Sequence, residues 1–286
     1  MAQTATTGNL ENAQRIILAA ARYTEEHNAP AMALIEQFTL PKGAKQVTVP
    51  KVGQMSMSDL VDGQDIVDEE EIGMTTVDLT AAEVGAKVIL TDKLVRQAAD
   101  NVMSIVGRQL GDGMARKKDN DVTALNSGFG TDIGAAGRSM SLANVSASVA
   151  YAKGNKFGSQ VYINQHPFAV WDIANTAVTA STTYPVPAGW TADLLGNFFS
   201  GLRPINGVPI FEDGNITIDS DDDAIGVIAD KSALAVLKSV DTRTERQRDA
   251  SLRATELVMT SDYGVFELDD SKGAALTLDA GTPATS

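Results

Sequence analysis

The chain contains no cysteine and only two histidines among its 286 residues. Without cysteine it can form no disulfide, no thiolate metal site and no cysteine nucleophile. His27 and His166 leave almost no material for a Ser-His-Asp triad or a histidine-based metal site. No phosphate-binding loop of the form GxxxxGK[ST] occurs, and the segment GRSMS lacks the final glycine of a nucleophile elbow. These absences predict a protein without catalytic residues, cofactor or metal, and therefore no enzyme.

Aromatic and basic residues are also few. Aromatic residues make up 5% of the chain, and 23 Lys and Arg face 37 Asp and Glu. The resulting net charge of −14 opposes tight, sequence-independent binding to nucleic acid or to anionic membranes. The apolar run IILAAA near the N-terminus is too short to span a bilayer or to form a signal-peptide core. We therefore expect a soluble, unexported protein that buries part of its apolar surface against neighbours.

One stretch lacks basic residues altogether. No Lys or Arg occurs from Val52 to Ala86, whereas nine acidic residues do. Such a long connection without apolar periodicity is normally a lid, a disordered linker or a binding element. The flanking segments AKQVTVPKV and TAAEVGAKVIL alternate as β-strands do. We expect the strand around Lys51 to pair with residues 74–79 running back, followed by a strand over 84–90.

Helical and strand patterns divide the remainder of the chain. An amphipathic helix is predicted over 9–27, and a long helix over 91–126 is capped by Thr91 and has glycines near its middle that favour a bend. A second region alternates between helix and strand, which is typical of an α/β unit. Its predicted elements are a helix over 141–153, strands over 159–164, 207–213 and 224–230, and helices over 167–178 and 232–240. Two further strands, 254–260 and 264–268, are predicted around the turn SDYG.

An acidic segment has the spacing of a calcium loop. Asp219, Asp221, Asp223 and Asp230 stand at offsets one, three, five and twelve. However, Ala224 occupies the position where the loop needs glycine, and a strand pattern follows in place of a second helix. We therefore predict a solvated acidic turn.

A cluster of arginines precedes the last two predicted strands. Arg243, Arg246 and Arg248 are interleaved with Glu245 and Asp249. Mixed charge of this kind favours surface or intersubunit ion pairs over a nucleic-acid track.

Taken in order, these parts resemble a tailed-bacteriophage major capsid protein with the Hong Kong 97-type capsid fold. The resemblance covers nearly the whole chain and rests on a strand leading into a capped long helix (KVILTDKLVRQAADNVMSIVGRQL), on GSQVYINQHPFAVWDI and GLRPINGVPIFED, and on the closing LRATELVMTSDYGVFELDD. It implies an α+β fold in six parts. These are an N-terminal arm (1–42), an extended β-hairpin loop (43–80), a peripheral domain with the spine helix (81–136), an axial α/β domain (137–240), a return to the peripheral domain (241–275) and a C-terminal tail (276–286).

The resemblance also implies a function. Many copies of the chain, as hexamers and pentamers, would form the icosahedral head that encloses a double-stranded DNA genome. The implied partners are a separate scaffolding protein, a portal and possibly a cement or decoration protein. DNA would be touched only by weak, non-specific contacts, and no membrane is involved. The protein would lie in the virion capsid after assembly in the host cytoplasm, with no large N-terminal cleavage. An encapsulin-type nanocompartment shell protein is the alternative, and a hydrolase with an acidic lid is disfavoured.

In this family the extended loop lies over a neighbouring subunit, which gives the acidic stretch a role, although a disordered linker remains an alternative. The acidic candidates for intersubunit contact are Asp65, Asp68, Glu69, Glu70 and Glu71. The basic candidates are Arg116, Lys117, Lys118, Arg243, Arg246 and Arg248. Lys51 is placed where some relatives form a covalent Lys–Asn cross-link, but no motif marks partner residues, so we expect a contact and no cross-link.

Overall fold

The structure is a computed structural model and describes residues 29–52, 59, 73–97, 102–178 and 207–283. The predicted helix over 9–27 and most of the acidic stretch lie outside the described residues. Within those ranges, no helix is both long and apolar enough to cross a lipid bilayer.

The described residues form five α-helices and ten strands. The helices are α1 (Ala31–Leu34), α2 (Asp92–Gln97), α3 (Val102–Ala124), α4 (Leu142–Gly154) and α5 (Pro167–Val178). The strands are β1 (Glu36–Thr39), β2 (Val47–Val52), β3 (Met74–Leu79), β4 (Ala82–Thr91), β5 (Val161–Gln165), β6 (Ile210–Glu212), β7 (Asp223–Asp230), β8 (Leu234–Asp249), β9 (Ala254–Glu267) and β10 (Gly273–Asp279). They make a long sheet of order β1-β8-β9-β4, a short sheet of order β10-β7-β5-β6, and the hairpin β2-β3.

Helix α3 packs on one face of the long sheet. Val106, Leu110 and Met114 recur at four-residue steps and are buried against Leu257 and Met259 of β9. Residues four apart lie on the same side of a helix, so the stripe faces the sheet continuously. Burying each of these side chains stabilises the fold by about 1.5–3 kcal/mol. This layer is one of the chain's hydrophobic cores.

The long helix predicted from the sequence is confirmed over the residues of α2 and α3. Thr91 Oγ1 accepts a hydrogen bond of 3.3 Å from the backbone N–H of Leu94, as expected of a cap. The helix runs without interruption through the glycines at 107, 111 and 113. It then tightens into the 3-10 turn Leu125–Gly128.

The short sheet carries α4 and α5 and forms a second core. Ser141 caps α4 by accepting a hydrogen bond from the backbone N–H of Asn144, and the Asn144 side chain reaches back to the cap. Buried side chains of both helices and the sheet pack together, including Val145, Val149, Ile173, Ile163, Ile228 and Leu276. The predicted helices over 141–153 and 167–178 and the strands over 159–164, 207–213 and 224–230 are confirmed as elements.

The helix predicted over 232–240 is wrong, because this segment begins strand β8. Ala235 pairs with Glu36 of β1 on one side and with Phe266 of β9 on the other. Residues 234–237 are buried on both faces of the sheet. A strand that is buried on both faces shows no alternation of apolar and polar residues. A short run of apolar residues can then be either a strand or a helix as far as its sequence period is concerned.

The turn predicted at SDYG is also wrong, because β9 runs through it without a break. The chain turns earlier, over 250–253, between β8 and β9. Gly264 suggested a turn, yet a Cβ at this position would lie 2.2 Å from the carbonyl oxygen of Thr80. This glycine allows two backbone segments to approach closely within a sheet.

Strand β10 was not predicted from the sequence. It pairs antiparallel with β7 over seven residues and buries Leu276 and Leu278 in the second core. The segment interpreted as a C-terminal tail from 276 therefore begins inside the short sheet. The boundary placed between 240 and 241 falls within β8, next to two register irregularities between Lys238 and Arg243.

Candidate intersubunit contact surface

The hairpin β2-β3 projects from the fold with little cover of its own. Its strands pair antiparallel from Val47 opposite Leu79 to Val52 opposite Met74, which confirms the predicted pairing. Leu79 at the root is fully buried, whereas Met74 at the far end is 61% exposed. A two-stranded hairpin is marginally stable alone in water. This one therefore offers surface to another molecule.

An ion pair ties the hairpin to the body of the subunit. Lys51 Nζ on β2 lies 2.5 Å from Asp269 Oδ1, just after β9. Asp269 also accepts hydrogen bonds from the backbone N–H and the hydroxyl of Ser271. Burial alone disfavours the charged carboxylate, but the bonds from Lys51 and Ser271 outweigh it and hold the pKa of Asp269 below its usual value. Lys51, a predicted contact residue, is thus the anchor of the hairpin.

A groove of about 660 Å³ lies between the hairpin and the body. Its charged walls include Lys51 of the hairpin and Lys156 and Lys272 of the body, and its apolar walls include Val77 and Leu268. The hairpin therefore faces the body with both charged and apolar side chains.

The three basic residues predicted near the end of the long helix differ in accessibility. Arg116 pairs with Asp112 one turn earlier, and Lys117 pairs with Asp121 one turn later at 2.5 Å. Both basic side chains are more than half exposed. Lys118 is buried instead.

The buried amine of Lys118 contacts the long sheet. It donates to Thr242 Oγ1 at 3.2 Å and lies 5.4 Å from the ring centroid of Tyr263. Arg116 and Lys117 therefore remain as the surface members of this trio.

The three predicted arginines of β8 do not form one patch. Thr242 and Thr244 are buried, while Arg243 and Glu245, which alternate with them along the strand, are exposed. Since successive side chains of a strand point to opposite faces, Arg243 lies on the face opposite Arg246 and Arg248.

The arginines also differ in their partners. Arg248 holds both carboxylate oxygens of Asp92 at 2.6 and 2.7 Å, and this pairing lowers the pKa of Asp92. Arg243 donates to Thr260 Oγ1 at 3.1 Å and lies 3.8 Å from Glu245. Arg243 is thus held less firmly than Arg248.

An apolar patch at one end of the long sheet was missed by the sequence reasoning. The backbone N–H of Asp92 donates to the carbonyl of Arg253, so α2 starts beside the β8–β9 turn. Leu94 and Val95 of α2 and Leu252 of that turn are 48%, 42% and 55% exposed. Clustered exposed apolar side chains mark an interaction site.

The predicted solvated acidic turn is confirmed for Asp219 and Asp221 before β7, but it is wrong for Asp223 and Asp230, which are the buried ends of β7. Asp219 Oδ1 accepts hydrogen bonds of 2.9 Å from the backbone N–H groups of Asp221 and Asp223. Over the described ranges, no group of three or more His, Asp or Glu side chains is arranged to hold a metal ion.

The acidic contact candidates Asp65, Asp68, Glu69, Glu70 and Glu71 lie outside the described residues. Asp59 of the same stretch is described and exposed.

Comparison by sequence finds nothing: no protein-family model and no curated protein matches the chain. Comparison by structure finds many matches. The chain is similar to the head structure of Helicobacter pylori bacteriophage KHP40, with a TM-score of 0.69 and 11% identity over 86% of this chain and 88% of that chain. The fold is that of tailed-phage capsid proteins, the Hong Kong 97-type fold. The predicted α+β capsid fold is thereby confirmed.

Two further capsid structures agree over a similar extent. Microbacterium phage Oxtober96 matches with a TM-score of 0.66 and 14% identity over 88% of this chain and 91% of that chain. The capsid of cyanophage P-SCSP1u matches with a TM-score of 0.65 and 14% identity over 87% of both chains. These matches cover most of the chain, and at such low sequence identity they establish the fold alone.

Proposed function

We propose that this chain is the major capsid protein of a tailed double-stranded DNA bacteriophage and that its copies assemble into the icosahedral head. The observation that carries this proposal is the extent of the structural match. Phage capsid structures cover 82–90% of this chain, and the chain covers 84–91% of theirs. A single shared element would give a short partial match, whereas these matches extend over most of the subunit.

The surface of the chain supports assembly. The far end of the hairpin and the apolar patch of Leu94, Val95 and Leu252 are exposed in the single subunit. Covering such side chains with a second copy gains about 25 cal/mol for each Å² of apolar surface removed from water. Copies arranged as hexamers and pentamers provide that cover.

The domain assignment follows from this role. Residues 43–80 are the extended loop, α3 is the spine helix, the long sheet belongs to the peripheral domain and the short sheet to the axial domain. Because β10 lies in the short sheet, we extend the axial domain to include residues 273–279.

The acidic loop of one copy is proposed to meet exposed basic groups of the next. Arg243 is the preferred basic partner, because its contact with Glu245 is long and both side chains are more than half exposed. Arg248 is a poorer partner, since Asp92 already holds it through two hydrogen bonds. Replacing the weak, exposed contact between Arg243 and Glu245 by an ion pair with the acidic loop of another copy costs little free energy. Such a pair helps to fix the relative position of the two copies.

A shell role requires no catalysis, so we assign no enzyme activity. The partners we propose are a separate scaffolding protein, a portal and a cement protein, with DNA touched weakly because the chain carries a net charge of −14. The place of action is the virion capsid, assembled in the host cytoplasm.

The experiment is electron microscopy of the purified full chain, made alone and together with the genes beside it. We expect shells or capsomers. A persistent monomer of 30.1 kDa under both conditions would contradict the proposal.

The same particles distinguish a phage head from an encapsulin-type compartment. A head gene lies beside portal and terminase genes, and its particles enclose DNA that resists added nuclease. A compartment gene lies beside an enzyme that co-purifies inside the particles. Finding such an enzyme would replace the phage proposal by the encapsulin alternative.

A further inference from the structure

Two carboxyl groups meet where α3 approaches the short sheet. Asp119 of α3 has 0% of its surface exposed, and Asp213, which directly follows β6, has 1%. Both side chains accept a hydrogen bond from the same residue, Asn215, which places the two carboxyl groups next to each other. Among the described residues, neither takes part in an ion pair. This is a buried acidic pair that the proposed shell contacts do not use.

The pair connects three separate parts of the chain. Asp119 Oδ1 accepts a hydrogen bond of 3.0 Å from the backbone N–H of Ala31 in α1, and its Oδ2 accepts one of 2.9 Å from Asn215 Nδ2. Asp213 Oδ1 accepts one of 2.9 Å from the backbone N–H of Asn215, and Asn164 Nδ2 of β5 lies 3.4 Å from its Oδ2. Helix α3, helix α1 and the short sheet thus meet at these carboxyls.

A hydrogen bond between two carboxyl groups needs a proton. Two ionised carboxylates are both acceptors, so one of them must carry hydrogen for the bond to form. Burial, followed by the bond to Asp213, raises the pKa of Asp119 to about 7.

Among the residues that the structure describes, no other titratable group near the pair supplies a positive charge that could take the place of this proton. His166 lies beside Asp213, and burial lowers the pKa of its imidazole. At the surface, Asp112 and Arg116 line the pocket beside Asp213 and pair with each other. Helix α1 contributes no ionisable side chain, and Lys118 of α3 is directed to Thr242.

We propose that Asp119 keeps its proton in mildly acidic solution and donates it to Asp213, and that this hydrogen bond fastens α3 to α1 and to the short sheet. Loss of the proton leaves two buried carboxylates side by side, which repel each other and open the joint. In shell terms this is a proton-controlled joint between the spine helix and the axial domain. The joint lies within one subunit, so it goes beyond the shell function and does not depend on it.

The sign of the pH effect follows from linkage. The native state holds the proton more tightly than the unfolded chain, because the pKa of Asp119 is raised from 3.8. Stability therefore falls as pH rises from about 4 to about 7 and changes no further from this pair above that range. The joint is closed in acid and weakened in alkali.

The test measures the unfolding temperature and the infrared spectrum of the full chain between about pH 5 and pH 8. In Asp213→Asn an amide donates permanently to Asp119, which then stays ionised with several donors around it. We expect this variant to lose the part of the pH dependence due to the pair and the carboxylic-acid C=O band seen in the native protein at pH 6. The control Asp112→Asn removes an exposed carboxyl of the same helix and should keep both.

Equal bands and equal pH dependence in the native protein and Asp213→Asn would overturn the proposal. If that variant does not fold, Asp119→Asn is measured in the same way, because its amide can donate to Asp213. The proposal would also be overturned if added Ca²⁺ raised the unfolding temperature of the native protein at pH 8 but not that of the variants. The two carboxyls would then bind a metal ion and not a proton. A change in shell formation without either spectroscopic change counts against the joint and leaves the proposed function untouched.

Discussion

Lys51 and Asp269 are 218 residues apart in sequence, yet Nζ and Oδ1 lie 2.5 Å apart. One residue belongs to the projecting hairpin and the other to the end of the long sheet. Lys51 stands four residues beyond Val47 at the hairpin root, about 13 Å along the strand. The contact therefore holds the hairpin at a distance from its root and sets its direction toward a neighbour.

Replacing Lys51 by Met should free the hairpin without unfolding the subunit. The Lys51 side chain is 44% exposed, so the lost pair costs less than about 1 kcal/mol of unfolding free energy. We expect faster hydrogen exchange of the β2 and β3 amides and a lower yield of shells. The control is Lys42→Met, which removes an exposed lysine before the hairpin. Unchanged exchange in Lys51→Met would show that the ion pair does not position the hairpin.

The same ion pair predicts an effect of acid. The folded pKa of Asp269 is below its usual value, so its contribution is present above the unfolded value and is lost as pH falls through the folded one. Protection of the hairpin amides should therefore be constant at neutral pH and fall below about pH 4. In Lys51→Met this step should be absent. An equal loss of amide protection in the native protein and in Lys51→Met would show that a carboxyl group other than Asp269 causes the pH effect.

Deleting residues 58–70 should leave a folded subunit that builds no stable shell. The deletion removes the greater part of the acidic stretch while keeping both strands of the hairpin. Circular dichroism and the unfolding temperature should match the native subunit, and electron microscopy should show no shells. A matched variant replaces the same residues by an uncharged Gly-Ser segment of equal length. Normal assembly of the deletion would favour the disordered-linker interpretation, and rescue by the Gly-Ser segment would show that length matters rather than charge.

The sequence predicts the hairpin strands because the burial of these strands is one-sided. Val47 and Val49 alternate with polar residues, and the strand and its partner follow directly. The start of β8 fails for the opposite reason, because it is covered on both faces and has no alternation. The contact between Lys51 and Asp269 could not be predicted, since no local pattern carries information about a partner so far along the chain. Arg243 and Arg248 are an odd number of residues apart, and side chains alternate between the two faces of a strand. A strand predicted through Asp249 would therefore have placed these two arginines on opposite faces.

Two glycine substitutions should change stability in opposite directions. At Gly264 an added Cβ meets the Thr80 carbonyl at 2.2 Å, and neither backbone can yield without disturbing the long sheet. At Gly113 of α3 an added Cβ meets nothing within 4 Å. Denaturant unfolding should show Gly264→Ala destabilised by about 1–3 kcal/mol, in the range of overpacking, and Gly113→Ala stabilised by about 0.5–1 kcal/mol. Similar stability of the two variants would mean that Thr80 does not approach Gly264 this closely.

The apolar patch should matter for assembly and not for folding. Leu252 is 55% exposed in the β8–β9 turn, so Leu252→Ser removes little buried surface from the subunit. We expect an unfolding temperature close to that of the native subunit and a marked loss of shells or capsomers in sedimentation and electron microscopy. The control Ala250→Ser changes an exposed residue of the same turn without removing a large apolar side chain. If Leu252→Ser assembles as well as Ala250→Ser, the patch of Leu94, Val95 and Leu252 is not a contact between copies.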